Sequence, residues 1–173
     1  MNSEPIVNRV ESSGLISFDL ESLYDERERV LFDMKDHLFQ GMVLREKDFR
    51  SFVKEHNWQN YFDKNVAIYC STDAIIPTWA YMLLVSKLES FAHVVMVGNL
   101  ENLESYLFQR ALNELDLEQF RGGKLVIKGC SDKPVPDFAY AEFTRMVKPI
   151  ASSIMFGEPC STVPVYKKPK NTT

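Results

Sequence analysis

Between residues 66 and 157, short apolar runs alternate with longer amphipathic ones. VAIYC (66–70) is rich in β-formers. After the loop STDAIIP, TWAYMLLVSKLESFA (78–92) is long and apolar enough for a packed helix, and HVVMVG (93–98) is a second strand. Asn99 then caps LENLESYLFQRALNEL, whose Leu100, Leu103, Leu107, Ala111 and Leu115 share one helical face. Gly122 and Gly123 stop that region, and KLVIKG (124–129) is a third strand. DFAYAEFTRMVKPIA (137–151) is a third helix with Ala139, Phe143, Met146 and Ile150 in one stripe, and SSIMFG (152–157) a fourth strand.

Strands that alternate with helices at this spacing, apolar on both faces, predict βαβ units. The fold class is therefore α/β: an open, mostly parallel sheet covered by helices, βαβαβαβ, in the flavodoxin- or Rossmann-like order 2-1-3-4. This core spans residues 65–173, with a flexible basic tail at 167–173. Residues 1–64 predict a separate N-terminal lobe that packs on the core. In it GLISFDL (14–20) is a strand, while ERVLFDMKDHLF (28–39) and REKDFRSFVKEHNW (45–58) are helices separated at Gly41. Trp58 and Tyr61 are expected to pack against the sheet. No repeat of solenoid period and no low-complexity stretch is present.

With 173 residues, 45% apolar and 25% charged, the chain can build a sizeable core without disulfides. A net charge of −4 argues against nucleic acid as the main partner, because phosphate neutralisation wants a basic surface. The start MNSEPIVNRVESSG lacks the basic and apolar regions of a signal peptide, and no apolar run approaches the roughly 20 residues that cross a bilayer. A cytoplasmic protein with reduced thiols is expected.

The three cysteines supply the candidate chemistry. Cys70 closes the first core strand, Cys130 the third, and Cys160 follows the fourth. Ligands of open parallel sheets bind at the carboxyl ends of strands. In the order 2-1-3-4 these three strands are neighbours, roughly 4.8 Å apart, so the thiols converge on one centre. Each cysteine precedes serine (Ser71, Ser131, Ser161), although only 14 of the 173 residues are serine. Asp73, Asp132 and Glu158 are candidate fourth ligands or proton acceptors, and the serines can tune a thiolate by hydrogen bonding. Three thiolates with one open or oxygen-bound position suit zinc, or an iron–sulfur cluster with one iron not held by cysteine.

Other readings stand beside this one. Cysteine is among the most buried residue types, so each thiol alone is most simply a core residue. Cys70 and Cys130 also precede helix starts, where the helix dipole lowers a thiol pKa, which makes a thiol-dependent enzyme the third hypothesis. Neither cysteine has an arginine six positions on, as a phosphatase loop needs. His93 begins a strand at the opposite end of the sheet, and His37 and His56 are surface or half-buried residues, so none is expected to be a ligand. CxxC, HExxH, GxSxG and GxGxxG are all absent. The second hypothesis is an interaction module or homodimer, docking through the proline-rich carboxyl edge or through Phe32, Phe39, Phe49, Phe52 and Trp58.

Taken together, GLISFDLESLY, ERVLFDMKDHLFQGMVLREKDFRSFVKEHNW, CSTDAIIPTWAYMLL, KGCSDKPVP and GEPCSTVPVYKK resemble the Bacteroidetes domain-of-unknown-function 2480 family over nearly the whole chain. The resemblance implies a bacterial cytoplasmic protein and brings no assigned activity or catalytic residues. It also implies genes encoded near those of sulfur-mobilisation iron–sulfur assembly, which makes iron–sulfur assembly proteins the expected partners.

Overall fold

The structure, a computed structural model, describes residues 8–10, 15–129, 132–158 and 161–169. It is α/β with mostly parallel strand pairing, as the alternation predicts. The chain divides into two compact units. The first is Met1–Asp25 with Glu104–Thr173, and the second is Glu26–Leu103. No break falls near residue 64, because residues 65–103 group with 26–64 rather than with the later strands.

Strand pairing explains the division. In chain order the strands are β1 (Asn8–Val10), β2 (Leu15–Phe18), β3 (Arg29–Asp33), β4 (Asn65–Tyr69), β5 (Val94–Val97), β6 (Lys124–Ile127), β7 (Ser153–Glu158) and β8 (Ser161–Lys167). The helices are α1 (Glu46–Glu55), α2 (Thr78–Leu88), α3 (Leu100–Asn113) and α4 (Asp137–Val147). Two sheets form in place of the single sheet of order 2-1-3-4. One has the order β1-β2-β6-β7-β8 and the other β3-β4-β5. The expected helix at 28–39 is strand β3 followed by a 3-10 turn, Met34–His37. Short apolar runs fit either state, and here Val30 to Phe32 gain a parallel ladder on β4, from Arg29 opposite Asn65 to Asp33 opposite Tyr69. Strand β8 extends into the stretch expected as a loose tail.

Each unit buries its own core. In the first, Phe18, Phe108, Phe120 and Phe143 pack with Leu112, Leu125 and Val147. In the second, Phe32, Phe49 and Trp58 pack with Val66, Leu84 and Leu88, and Trp58 Nε1 donates to the Val53 carbonyl at 2.9 Å. The helix stripes sit a position or so from expectation: Leu103, Leu107, Phe108 and Leu112 are buried on α3, while Leu100 is exposed.

The two units are built to one plan. A constant shift of 59 residues carries the 3-10 turn Trp58–Tyr61 onto Leu117–Phe120, and α2 onto α4. The same shift carries buried Phe49 onto Phe108, Val53 onto Leu112, Ala80 onto Ala139 and Leu88 onto Val147. It also reproduces backbone bonds. Asp63 N–H donates to the Phe91 carbonyl at 3.0 Å, and Gly122 N–H to that of Ile150 at 2.8 Å. Both residues hold positive φ, 53° and 69°. The register repeats too: Phe32 faces Ile68 as Phe18 faces Ile127. The strand before each helix repeats at a shorter shift of 14. Asp33 caps its 3-10 turn through Lys35 N–H as Asp19 caps Leu20–Leu23 through Glu21 N–H.

Candidate functional site

Ligand sites of parallel α/β sheets lie beyond the carboxyl ends of the strands, where each strand hands over to its helix. In the first unit this place is the loop from β6 to α4. Glu21 fixes it from below: its two carboxylate oxygens accept the N–H groups of Asp132 and Lys133, each at 3.1 Å. Lys133 Nζ stands 5.4 Å from the centre of the Tyr24 ring, and Lys128 Nζ 3.8 Å from Asp19 Oδ2. Prolines 134 and 136 remove donors and restrict φ in the same loop. Pro136 at the helix boundary makes no side-chain cap hydrogen bond.

A cleft of about 570 Å³ opens there, lined by Gly129, Lys133, Pro134, Val135, Asp137, Tyr140 and Phe156. Phe156 and Tyr140 meet edge to face at 5.5 Å and form its aromatic wall. The tip of the Phe156 ring lies against Gly129 at the strand end. A Cβ at that position would stand 2.6 Å from Phe156 Cζ. The lining joins an ammonium, a carboxylate and a phenol to the apolar side chains of Val135 and Phe156.

The matching place in the second unit has the same frame with other side chains. Position 70, the counterpart of Gly129, carries a thiol, and position 97, the counterpart of Phe156, is valine. Cys70 is half-buried, its sulfur 3.4 Å from Thr72 Oγ1. Asp33 closes this loop by accepting Ser71 N–H at 3.0 Å. Burial pushes the Asp33 carboxyl up, but hydrogen bonds from the Ser71 hydroxyl and the Lys35 and Ser71 N–H groups, with the Lys35 charge, bring it down to about 2. Burial raises the Tyr81 phenol, and the charge of a Cys70 thiolate raises it further. A separate cleft of about 280 Å³ lies beside His37, Phe39, Arg45 and Phe52. His37 and Phe52 rings are 3.9 Å apart there, and His56 packs between Phe52 and Trp58.

The expected site residues distribute as follows. Cys130, Ser131 and Cys160 lie outside the described residues. Cys70, Ser71 and Asp73 belong to the loop after β4, with Ser71 and Asp73 exposed; Asp132 is in the loop after β6; Glu158 and Ser161 face each other across β7 and β8. The strand before Cys70 is in one sheet, and the strands before Cys130 and Cys160 are in another. Adjacent strand ends therefore do not bring the three thiols together. In the sequence, the shift of 59 matches Cys70 with Gly129 and Cys130 with Ser71. Among the described residues no group of three or more His, Cys, Asp or Glu side chains has an arrangement that could hold a metal ion. Among them, too, no helix is long and apolar enough to cross a membrane.

Sequence reasoning missed Glu21 and Tyr24, which act on the loop from more than a hundred residues away, and it missed Phe156. One signal does point to them. CSTDAIIPTWAY and GCSDKPVPDFAY recur 59 residues apart and share aspartate, proline and the Ala-Tyr pair.

Fold and cleft together define a parallel α/β protein of two similarly built units with a small-molecule-sized cleft at one carboxyl edge. The chain belongs to the family described as protein of unknown function (DUF2480), whose model matches residues 4–168. No curated protein and no solved structure matches it.

Proposed function

We propose that this chain is a ligand-binding protein whose site is the cleft over Gly129, and that its ligand is a small molecule with a carboxylate or phosphate group. The observation that carries this reading is the cleft itself, placed at the carboxyl edge of β6 and β7 and lined by both polar and apolar side chains. The anionic group meets Lys133 and the start of α4, where the helix dipole favours negative charge. The apolar part of the ligand rests on Val135 and Phe156, and Tyr140 offers a hydroxyl. Amide chemical shifts followed by NMR during titration with inorganic phosphate, citrate and adenosine monophosphate test this. Saturable shifts at Gly129, Lys133, Asp137 and Tyr140, lost in Lys133→Glu, are expected. No shift at these amides up to millimolar concentrations contradicts it.

A second reading keeps the thiols as ligands of a metal or iron–sulfur centre, in the service of iron–sulfur cluster assembly. One observation favours it for two of the three cysteines. The strands that precede Cys130 and Cys160, β6 and β7, are neighbours in one sheet. Cys70 is in the other unit. The test is anaerobic expression with assay of zinc, iron and sulfide. Under this reading, Cys130→Ser and Cys160→Ser lose the metal and Cys70→Ser keeps it. A metal-free protein under these conditions contradicts it.

A further inference from the structure

The repeated plan makes one difference between the units conspicuous. In the first unit both outer parallel strands are covered by antiparallel ones, β2 by β1 and β7 by β8. Among the described residues, nothing pairs with the outer side of β3 or β5 in the second unit. Open strand edges template association with other chains, and proteins defend them with charge, proline or a bulge. β8 has such defences: Pro164 and Lys167 in the strand, and an irregular register opposite Ile154 and Met155. β3 has charged residues at both ends, Arg29 and Asp33. β5 reads Val94-Val95-Met96-Val97 and has none of these, with Val97 half exposed.

The hydrogen bonds show how this edge is presented. Val94 N–H, with His93 N–H, donates to the carbonyl of Lys64 just before β4, and Gly98 N–H to that of Ile68 in β4. The alternate residues, Val95 and Val97, therefore turn their N–H and C=O groups away from β4. We propose that β5 pairs antiparallel with β5 of a second copy of this chain, about a twofold axis at Met96. In this register Val95 and the partner's Val97 exchange two hydrogen bonds, and the symmetry repeats them on the other side. Met96 meets the partner's Met96 in the close, non-hydrogen-bonded position. Every facing pair is apolar, so self-association brings no like charges together, and the interface is isologous as a twofold pair requires. The precedent is β8, which lies antiparallel along β7, the counterpart of β5. The pairing turns two three-stranded sheets into one of six and leaves no undefended edge. It is independent of any ligand in the cleft.

Analytical ultracentrifugation and amide hydrogen exchange of the full chain over a concentration series test this. The expected result is a monomer–dimer equilibrium in which the Val95 and Val97 amides exchange more slowly as concentration rises. Val97→Lys sets two symmetry-related charges on the edge and raises the dimer dissociation constant about a hundredfold, roughly tenfold for each lysine. Val163→Lys, on exposed β8, leaves it unchanged. Circular dichroism confirms that both variants fold. Should Val97→Lys fail to fold, exchange in the native chain alone decides. A strict monomer, a dimer whose Val95 and Val97 amides ignore concentration, or a dimer broken by Val163→Lys instead overturns the proposal. Protection of those amides by a different protein's strand, without self-association, also overturns it.

Discussion

The first unit puts a glycine and a phenylalanine where the second puts a cysteine and a valine, at positions 129 and 156 against 70 and 97. The backbone around the two pairs is the same, with matching strand register and matching caps. One solution removes a side chain from the strand end so that a ring can lie across it. The other keeps a side chain there and shortens the neighbour. A parallel βαβ frame thus fixes where a site is, and the residues at two or three strand ends decide what the site holds. The comparison extends to the histidines. His37 and His56 sit among aromatic rings in the second unit, while their counterparts in the first, Leu23 and Leu115, are partly buried leucines packed against the core.

The most severe way to break the comparison is to empty equivalent core places. Phe49 and Phe108 are each 1% exposed. Phe49→Ala and Phe108→Ala are expected to cost about 3–5 kcal/mol each, measured by urea denaturation. If one costs less than about 1 kcal/mol, the two places are not equivalent in packing.

Acid separates the units next. Burial lowers the pKa of both His37 and His56. For His37 the Asp36 and Asp33 charges oppose this shift and the His56 charge adds to it. The folded state then binds fewer protons than the unfolded state, whose histidines titrate near 6.5. Stability from these residues is fully present above that pH and is lost as pH falls through 6.5 toward the lower folded values. Thermal melts between pH 7.5 and 5.5 are expected to show this loss in the native chain. The His37→Leu, His56→Leu double variant, which copies the first unit, is expected to flatten it. An unchanged slope in that variant places the acid sensitivity elsewhere.

A smaller effect concerns the paired turns. Gly122 has no heavy atom within 4 Å of where a Cβ would be, so Gly122→Ala costs only the conformational price of positive φ, about 1 kcal/mol. Asp63→Gly is expected to gain a fraction of that, offset by the lost Arg27–Asp63 pair at 2.8 Å, an exposed contact. Thermal midpoints that move in opposite directions support the equivalence of the two turns.

Much of this was legible in the chain. The strands and helices between residues 66 and 157 follow from alternating apolar runs and caps, because those signals are local. Asn99 and Asn102 do bond each other's backbone N–H groups at the start of α3. The partition into two sheets was not legible. β2 pairs with β6 more than a hundred residues later, and nothing within β2 names that partner. The segment 28–39 misleads because five apolar-rich residues fit a strand or a helix equally, and only β4 decides. β8 was hidden by Pro164, which argues against a central strand and is tolerated here on an edge. The carboxyl-edge rule points to the loop after β6, and a cleft opens beside that loop. Its latch by Glu21 and its wall of Phe156 depend on tertiary pairing. In the 59-residue correspondence Cys70 pairs with Gly129 and Cys130 with Ser71, an offset that no local signal announces.

The most direct test of one frame with two complementary fillings is a double-mutant cycle on Gly129→Cys and Phe156→Val, with stability measured by denaturation. Gly129→Cys alone drives a Cβ into the Phe156 ring and is expected to cost about 1–3 kcal/mol. With Phe156→Val, which installs the pair found at positions 70 and 97, most of that cost is expected to return, a coupling of about 1 kcal/mol or more. Strictly additive effects would contradict the account, because the two strand ends would then not be alternative fillings of the same space.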